Sequence, residues 1–199
     1  MKNLSFSTFL TSNADHEQNY IQALSSQCTQ RSVAKDEFLL REGESCKHVF
    51  YVEQGLLRQY YLDASGKEHT IQFAPENWLI SDRDSLFFSQ GAQYFIQAVE
   101  ASQVMMIEQS LLLELAKKDK AFHEFNDRLL HNHIRQLQKR IRLLLSASAE
   151  ERYLDFTATY PDLMLRLPQI MVASYLGITP ESLSRVRKNL ADKNRANNS

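Results

Sequence analysis

A chain of 199 residues, 43 % of them hydrophobic, can bury a real core as one large domain or two small ones and needs no covalent staples. Its formal net charge of −1 gives no sign of a polyanionic partner, and its two cysteines, Cys28 and Cys46, lack the CxxC spacing of a zinc site or a four-cysteine iron–sulfur cluster. The charge is unevenly placed, however: residues 1–120 carry 11 Lys/Arg against 16 Asp/Glu, residues 121–199 carry 12 against 8, so the C-terminal end is the positive one.

The opening, MKNLSFSTFLTSNADHEQ, breaks its apolar residues with Ser and Thr before a polar run, so neither a signal peptide nor a membrane span is expected, and a reducing cytoplasm suits two unpaired thiols. From about 33 to 109 the apolar residues come in short runs rich in β-branched and aromatic side chains: EFLL, HVFYV, GLLRQYYL, HTIQF, YFIQAVEA and QVMMIE. REGESCKH, EQG, DASGKE and APEN separate them with turn chemistry, so the spacing predicts an antiparallel sandwich or jelly-roll-like β-roll over residues 1–118. Trp78, Phe87, Phe88 and Tyr94 are aromatic residues of that roll, suited to its core or to an apolar pocket.

The period then changes. Over 110–146 the residues Phe122, Phe125, Leu129, Leu130, Ile134, Leu137, Ile141 and Leu144 recur three or four apart with basic residues mostly between them, which predicts one long amphipathic helix. A stripe of this length fits a seam between two copies of the chain, through Phe122, Phe125, Leu129, Leu137 and Ile141 over 119–146; packing on the chain's own strands is the alternative. In TYPDLMLRLPQ, Pro161 and Pro168 interrupt helical periodicity within a compact C-terminal unit expected at 147–199.

That unit contains ASYLGITPESLSRVRK, residues 173–188. A helix beginning at Gln169 would bury Ile170, Val172, Ala173 and Leu176, and Gly177 supplies the left-handed turn after it. Thr179 can cap the next helix, Pro180 suits its first position and Glu181 complements its dipole. The second helix would bury Leu183, Val186 and Leu190, and Ala173 lets the two helices cross closely. Outward, Thr179, Glu181, Ser182, Ser184, Arg185, Arg187 and Lys188 offer groups that pair with base edges or neutralise phosphate, the pattern of a helix-turn-helix. The tail NLADKNRANNS is expected to fray, with Lys193 and Arg195 near phosphate at most.

Two other patterns carry less. HNH at 131–133 lies inside the long helix, where His131 and His133 point to different sides and cannot share a metal. A cupin-type metal enzyme needs several histidines converging from strands, and the strand region supplies only His48 and His69. No metal, cofactor or enzymatic activity is expected.

The order of regions resembles the Crp/Fnr family of bacterial transcription regulators. LLREGESCKHVFYVEQGLLRQYYLDASGKEHTIQF, the long helix and the terminal helix-turn-helix carry the likeness, and AEERYLDF, YPDLMLRLPQ and ASYLGITPESLSRVRK are similar to short members from Bacteroidetes-type bacteria. The resemblance implies an α+β chain with a cyclic-nucleotide-binding-type roll, a dimerising helix, and a helix-turn-helix domain whose readers map onto Glu181, Ser182 and Arg185. Its implied partners are double-stranded DNA bearing an inverted repeat, a second copy of the chain and RNA polymerase, with room for a small-molecule effector and no membrane. Nucleotide-binding members hold the cyclic phosphate with an arginine; here Ala92 and Gln93 stand at that place, with Asp82 and Asp84 nearby and Arg83 as the remaining cation. Trp78, Asp82, Arg83, Asp84 and Gln93 are therefore the candidate ligand residues, and cyclic AMP in the usual manner is not expected. The family's wing after the recognition helix has no counterpart in the polar tail. A ligand-binding module of the same fold without sequence-specific DNA recognition is the alternative function.

Overall fold

The computed structural model describes residues 4–13 and 26–197. The chain divides into two compact units, one of residues 1–62 and 71–131 and one of residues 63–70 and 132–199.

The first unit is the β-roll. Strands β1 (Thr29–Val33), β8 (Ser102–Glu108), β3 (His48–Gln54) and β6 (Leu79–Ile80) form one sheet in that order, and β2 (Phe38–Leu40), β7 (Phe95–Ala98), β4 (Leu57–Leu62) and β5 (Glu68–Ala74) form the other. Neighbours pair antiparallel, Val52 opposite Val104 and Leu57 opposite Ala98. Strand alternation sends one side chain in two inward, so Val33, Leu40, Val52, Leu57, Ile96, Ala98 and Val104 make the buried layer between the sheets. At about 1.5–3 kcal/mol for each large aliphatic side chain removed from water, this layer supplies most of the roll's cohesion. Gly55 turns β3 into β4 at φ +97°, and a Cβ there would sit 2.8 Å from the Ala101 carbonyl oxygen, so only glycine fits.

Helix α1 (Phe6–Asn13), the short α2 (Arg83–Phe88), α3 (Gln109–Lys118) and the start of α4 (Lys120–Ser146) complete the unit. The expected single helix over 110–146 is two: Asp119 is extended at φ −126°, ends α3, and accepts from the Phe122 amide at 3.0 Å to begin α4. Phe122 and Phe125 are 2 % and 3 % exposed and belong to a second core with Phe6, Phe9, Leu10, Tyr51, Ile107 and Leu115, against which Leu129 is partly buried. Their expected place in a seam between copies is therefore corrected, since one chain already covers them. At 100° per residue, Leu130, Ile134, Leu137, Ile141 and Leu144 fall about a quarter turn around α4 from that buried face and keep the 4-3-4-3 spacing of a coiled-coil stripe. Ile134, Ile141 and Leu144 are exposed and Leu137 is half-buried.

In the second unit, α5 (Ala149–Thr159) opens with a capping box in which Ser148 Oγ accepts from the Glu151 amide and the Glu151 carboxylate accepts from the Ser148 amide. A 3₁₀ turn at Leu163–Leu165 leads to α6 (Gln169–Leu176) and α7 (Pro180–Asn197). No strand occurs among the described residues after Glu108. The expectation of a frayed tail is corrected for 190–197, which continue α7, with Lys193 Nζ 2.7 Å from Glu150 Oε1 on α5. Ile170, expected on the inner face of α6, is 66 % exposed, because it lies about 90° around the helix from the mean direction of Ala173 and Leu176.

Candidate nucleic-acid interface

Helices α6 and α7 are joined by three residues. Val172, Ala173 and Leu176 of α6 and Leu183 of α7 are buried, and Val186 and Leu190 are half-buried. Ala173 is the small residue that permits this crossing. Gly177 adopts φ +65° at the C-cap of α6, and the Ile178 amide donates to the Ala173 carbonyl, closing the helix end. Thr179 Oγ1 then accepts from the Ser182 amide at 3.2 Å and caps α7.

Glu181, Ser184, Arg185, Arg187 and Lys188 are exposed on α7, and Ser182 is half-buried. The helical angles bring Glu181, Arg185 and Lys188 onto one face, with Ser184 at its edge and Arg187 turned well to the side. Ser182 instead works locally: its hydroxyl lies 3.3 Å from Thr179 Oγ1 and accepts from Arg185 Nη2 at 3.3 Å. Hydrogen bonds from the Thr179 side chain and from its own amide hold the Glu181 carboxyl below the usual range, so it is ionised at neutral pH.

The helix pair is tied to other parts of its unit by groups that sequence patterns do not reveal. Ser174 Oγ accepts from the Thr70 amide at 2.9 Å and donates to the Glu68 carbonyl at 3.0 Å, so the 63–70 hairpin tip is fastened to α6. Arg152 Nη1 donates to the Leu176 carbonyl at 2.7 Å across 24 residues. Nothing local in AEERYLDF signals that contact, which exists only once α5 and α6 are packed.

The candidate ligand residues of the roll have different roles from one another. Asp82 is fully buried and caps α2: its carboxylate accepts from the amides of Ser85 at 2.9 Å, Gln93 at 2.9 Å and Tyr94 at 3.2 Å. These three amide donors are thus satisfied by the chain's own carboxylate. Gln93 contributes its backbone to this cluster, and Trp78 packs against the roll core. Arg83 is exposed, with its guanidinium 5.7 Å from the Phe87 ring centroid, and Asp84 is half-buried. Phe87 and Phe88, expected as core or pocket lining, are exposed, Phe88 by 69 %. Burial, and then the charges of Asp84 and Asp82, raise the Tyr94 phenol.

Among the described residues no group of three or more His, Cys, Asp and Glu is arranged to hold a metal ion, and no helix is long and apolar enough to cross a membrane.

Residues 30–119 match the family model of the cyclic nucleotide-binding domain. Electron transport regulator A of Shewanella oneidensis is 27 % identical over 167 residues, covering 78 % of this chain and 66 % of the relative, so the match spans just under two thirds of that protein. FixK2 from Bradyrhizobium japonicum has the same fold at a TM-score of 0.73 and 22 % identity, covering 84 % of this chain and 86 % of its own. A chain from Eubacterium rectale assigned to the Crp/Fnr family superposes at a TM-score of 0.66 with 16 % identity, covering 90 % and 85 %. The chain therefore carries a cyclic nucleotide-binding-type roll, and it shares its fold with solved proteins that include one assigned to the Crp/Fnr family.

Proposed function

We propose that this chain is a homodimeric transcription regulator that reads an inverted repeat in double-stranded DNA with α7. The observation that carries the reading is the α6–Gly177–α7 geometry, a buried small-residue crossing that leaves a capped helix exposed with Glu181, Arg185 and Lys188 along one face. Such a helix fits the major groove, where an arginine pairs with guanine and a glutamate accepts from cytosine. The names of the relatives, regulators throughout, support the same reading. The second copy docks along Leu130, Ile134, Leu137, Ile141 and Leu144, placing two reading helices on one duplex. RNA polymerase is the further partner of a regulator of this kind, and the cytoplasm its compartment.

In this reading Arg185, held by Ser182, reads a base, while Arg187 and Lys188 anchor to phosphate. Arg185→Ala should cost about 1–3 kcal/mol on the preferred operator and relax preference at one base pair of each half-site. Lys188→Ala should weaken all DNA by nearly the same factor and lower the salt slope by roughly one per subunit. Binding titrations on operator and random duplex decide between them: equal weakening by Arg185→Ala on both duplexes would make that residue an anchor.

The roll is proposed to work without cyclic AMP. Ala92, which the family resemblance sets at the place of the phosphate-binding arginine, is buried, and the Asp82 carboxylate holds the amides of Ser85 and Gln93. A small-molecule effector of other chemistry remains compatible with this arrangement.

A further inference from the structure

Within the second unit, a cavity of about 380 Å³ opens between the C-terminal half of α4, α5 and α6, a size typical of small-molecule sites. Arg135, Lys139, Arg140 and Arg152 line it, and Asp155 is the single carboxylate among the lining residues. Asp155 is already paired with Lys139, so the lining keeps three positive charges without a carboxylate of its own. Tyr175 and the buried Tyr160 form an aromatic wall, and the Arg140 guanidinium lies 3.7 Å above the Tyr175 ring while donating to the Thr70 carbonyl at 3.0 Å. Burial pushes the Tyr160 phenol well above its ordinary range, so this wall adds no negative charge at neutral pH.

One atom there is left unsatisfied. Arg152 Nε is buried and has no hydrogen-bond partner, although Nη1 of the same guanidinium is engaged with the Leu176 carbonyl. Buried charged donors are ordinarily paired, so the Arg152 guanidinium keeps hydrogen-bonding capacity that the chain itself does not use.

We propose that this cavity binds a small organic anion carrying at least two negative charges, as phosphate or as carboxylates, with Arg135, Arg140 and Arg152 as its main contacts. All of the cavity's lining residues belong to the second unit, and it lies directly behind the turn of the helix pair: a Cβ on Gly177 would be 3.3 Å from Arg152 Nη1. An anion that engages the Arg152 guanidinium therefore acts on the side chain that holds the last carbonyl of α6. Binding does not depend on DNA recognition; only its use as a regulatory signal rests on the function proposed above.

Isothermal titration of the full chain with pyrophosphate and, separately, with citrate at constant ionic strength tests the site. One or both should bind once per chain with a Kd below about 1 mM. Arg135→Glu, at an exposed position, should weaken that binding about tenfold or more. Arg152→Gln, which removes the charge and shortens the side chain, should do the same, and bound anion should shift the Gly177 and Ile178 amide resonances of the unmodified protein. Binding of pyrophosphate alone assigns phosphate chemistry, and of citrate alone carboxylate chemistry. Absence of binding by both, equal affinity in both variants, or displacement of the bound anion by a short random-sequence duplex would overturn the proposal, the last by making the cluster a DNA-backbone contact.

Discussion

Asp82 is a buried carboxylate whose partners are all backbone amides of its own chain. Its carboxylate satisfies three backbone amides that converge at the start of α2 and on the strand-side loop at Gln93 and Tyr94. Removing it leaves buried donors unpaired, so Asp82→Ala should destabilise the roll by about 2–3 kcal/mol, read as a lower urea midpoint with unchanged slope. Asp82→Asn should fail to restore full stability, because its amide nitrogen would meet donors. Cyclic AMP should give no binding heat at micromolar protein, and a tight isotherm would show that another cation has replaced the missing arginine. Asp63, at the hairpin tip, gives a pH test. Its carboxyl is held well below the usual range by the Ser65 hydroxyl and then His69, and it also accepts from the Ser65 and Lys67 amides. The folded value is below the unfolded one, so this stabilisation is fully present above about pH 4 and is lost as pH falls through the folded value. Amide exchange at Ser65 and Lys67, corrected for intrinsic rates, should keep its protection from pH 8 to 5; a loss of protection in that interval would contradict the assignment.

Helix α4 carries two apolar faces that the sequence presents as one. Phe122, Phe125 and Leu129 satisfy the roll's second core, whereas Leu130, Ile134, Leu137, Ile141 and Leu144 run a quarter turn away and end in side chains that one chain leaves largely open. Spacing of three and four is common to both sets, so periodicity identifies the helix and cannot assign the partner of each face. Ile141→Asp should convert a dimer into a folded monomer by light scattering, with the roll's thermal transition retained. Phe125→Asp should instead unfold the first unit, at a cost of about 3–5 kcal/mol or more. A folded dimer of the Ile141→Asp variant would place the seam elsewhere. The break at Asp119 and the helical tail were illegible for a related reason. Lys118 and Lys120, both helix formers, flank Asp119 and hide the cap, and the Lys193–Glu150 pair that fastens the tail joins residues 43 apart.

Across the whole molecule, legibility follows how local the determinants are. The helix pair could be read from 16 consecutive residues because a small residue, a left-handed glycine, a capping threonine and the buried Leu183 all act within that stretch. The roll could be read from strand and turn chemistry, but its two-sheet order could not, since β1 pairs with β8 across the unit. The cavity behind Gly177 was invisible because three helices and their arginines must come together before it exists. The excess of positive charge after residue 120 is thereby divided between the exposed face of α7 and the basic lining of the cavity around Arg152. The central claim, that a dimer reads DNA through α7, is tested most directly by selecting bound duplexes from a random pool with the purified full chain. The account predicts an enriched inverted repeat whose half-site centres lie about one helical turn apart, with preference at one base pair of each half-site lost in Arg185→Ala. A pool that stays random through selection, or an enriched site without two-fold symmetry, would contradict it.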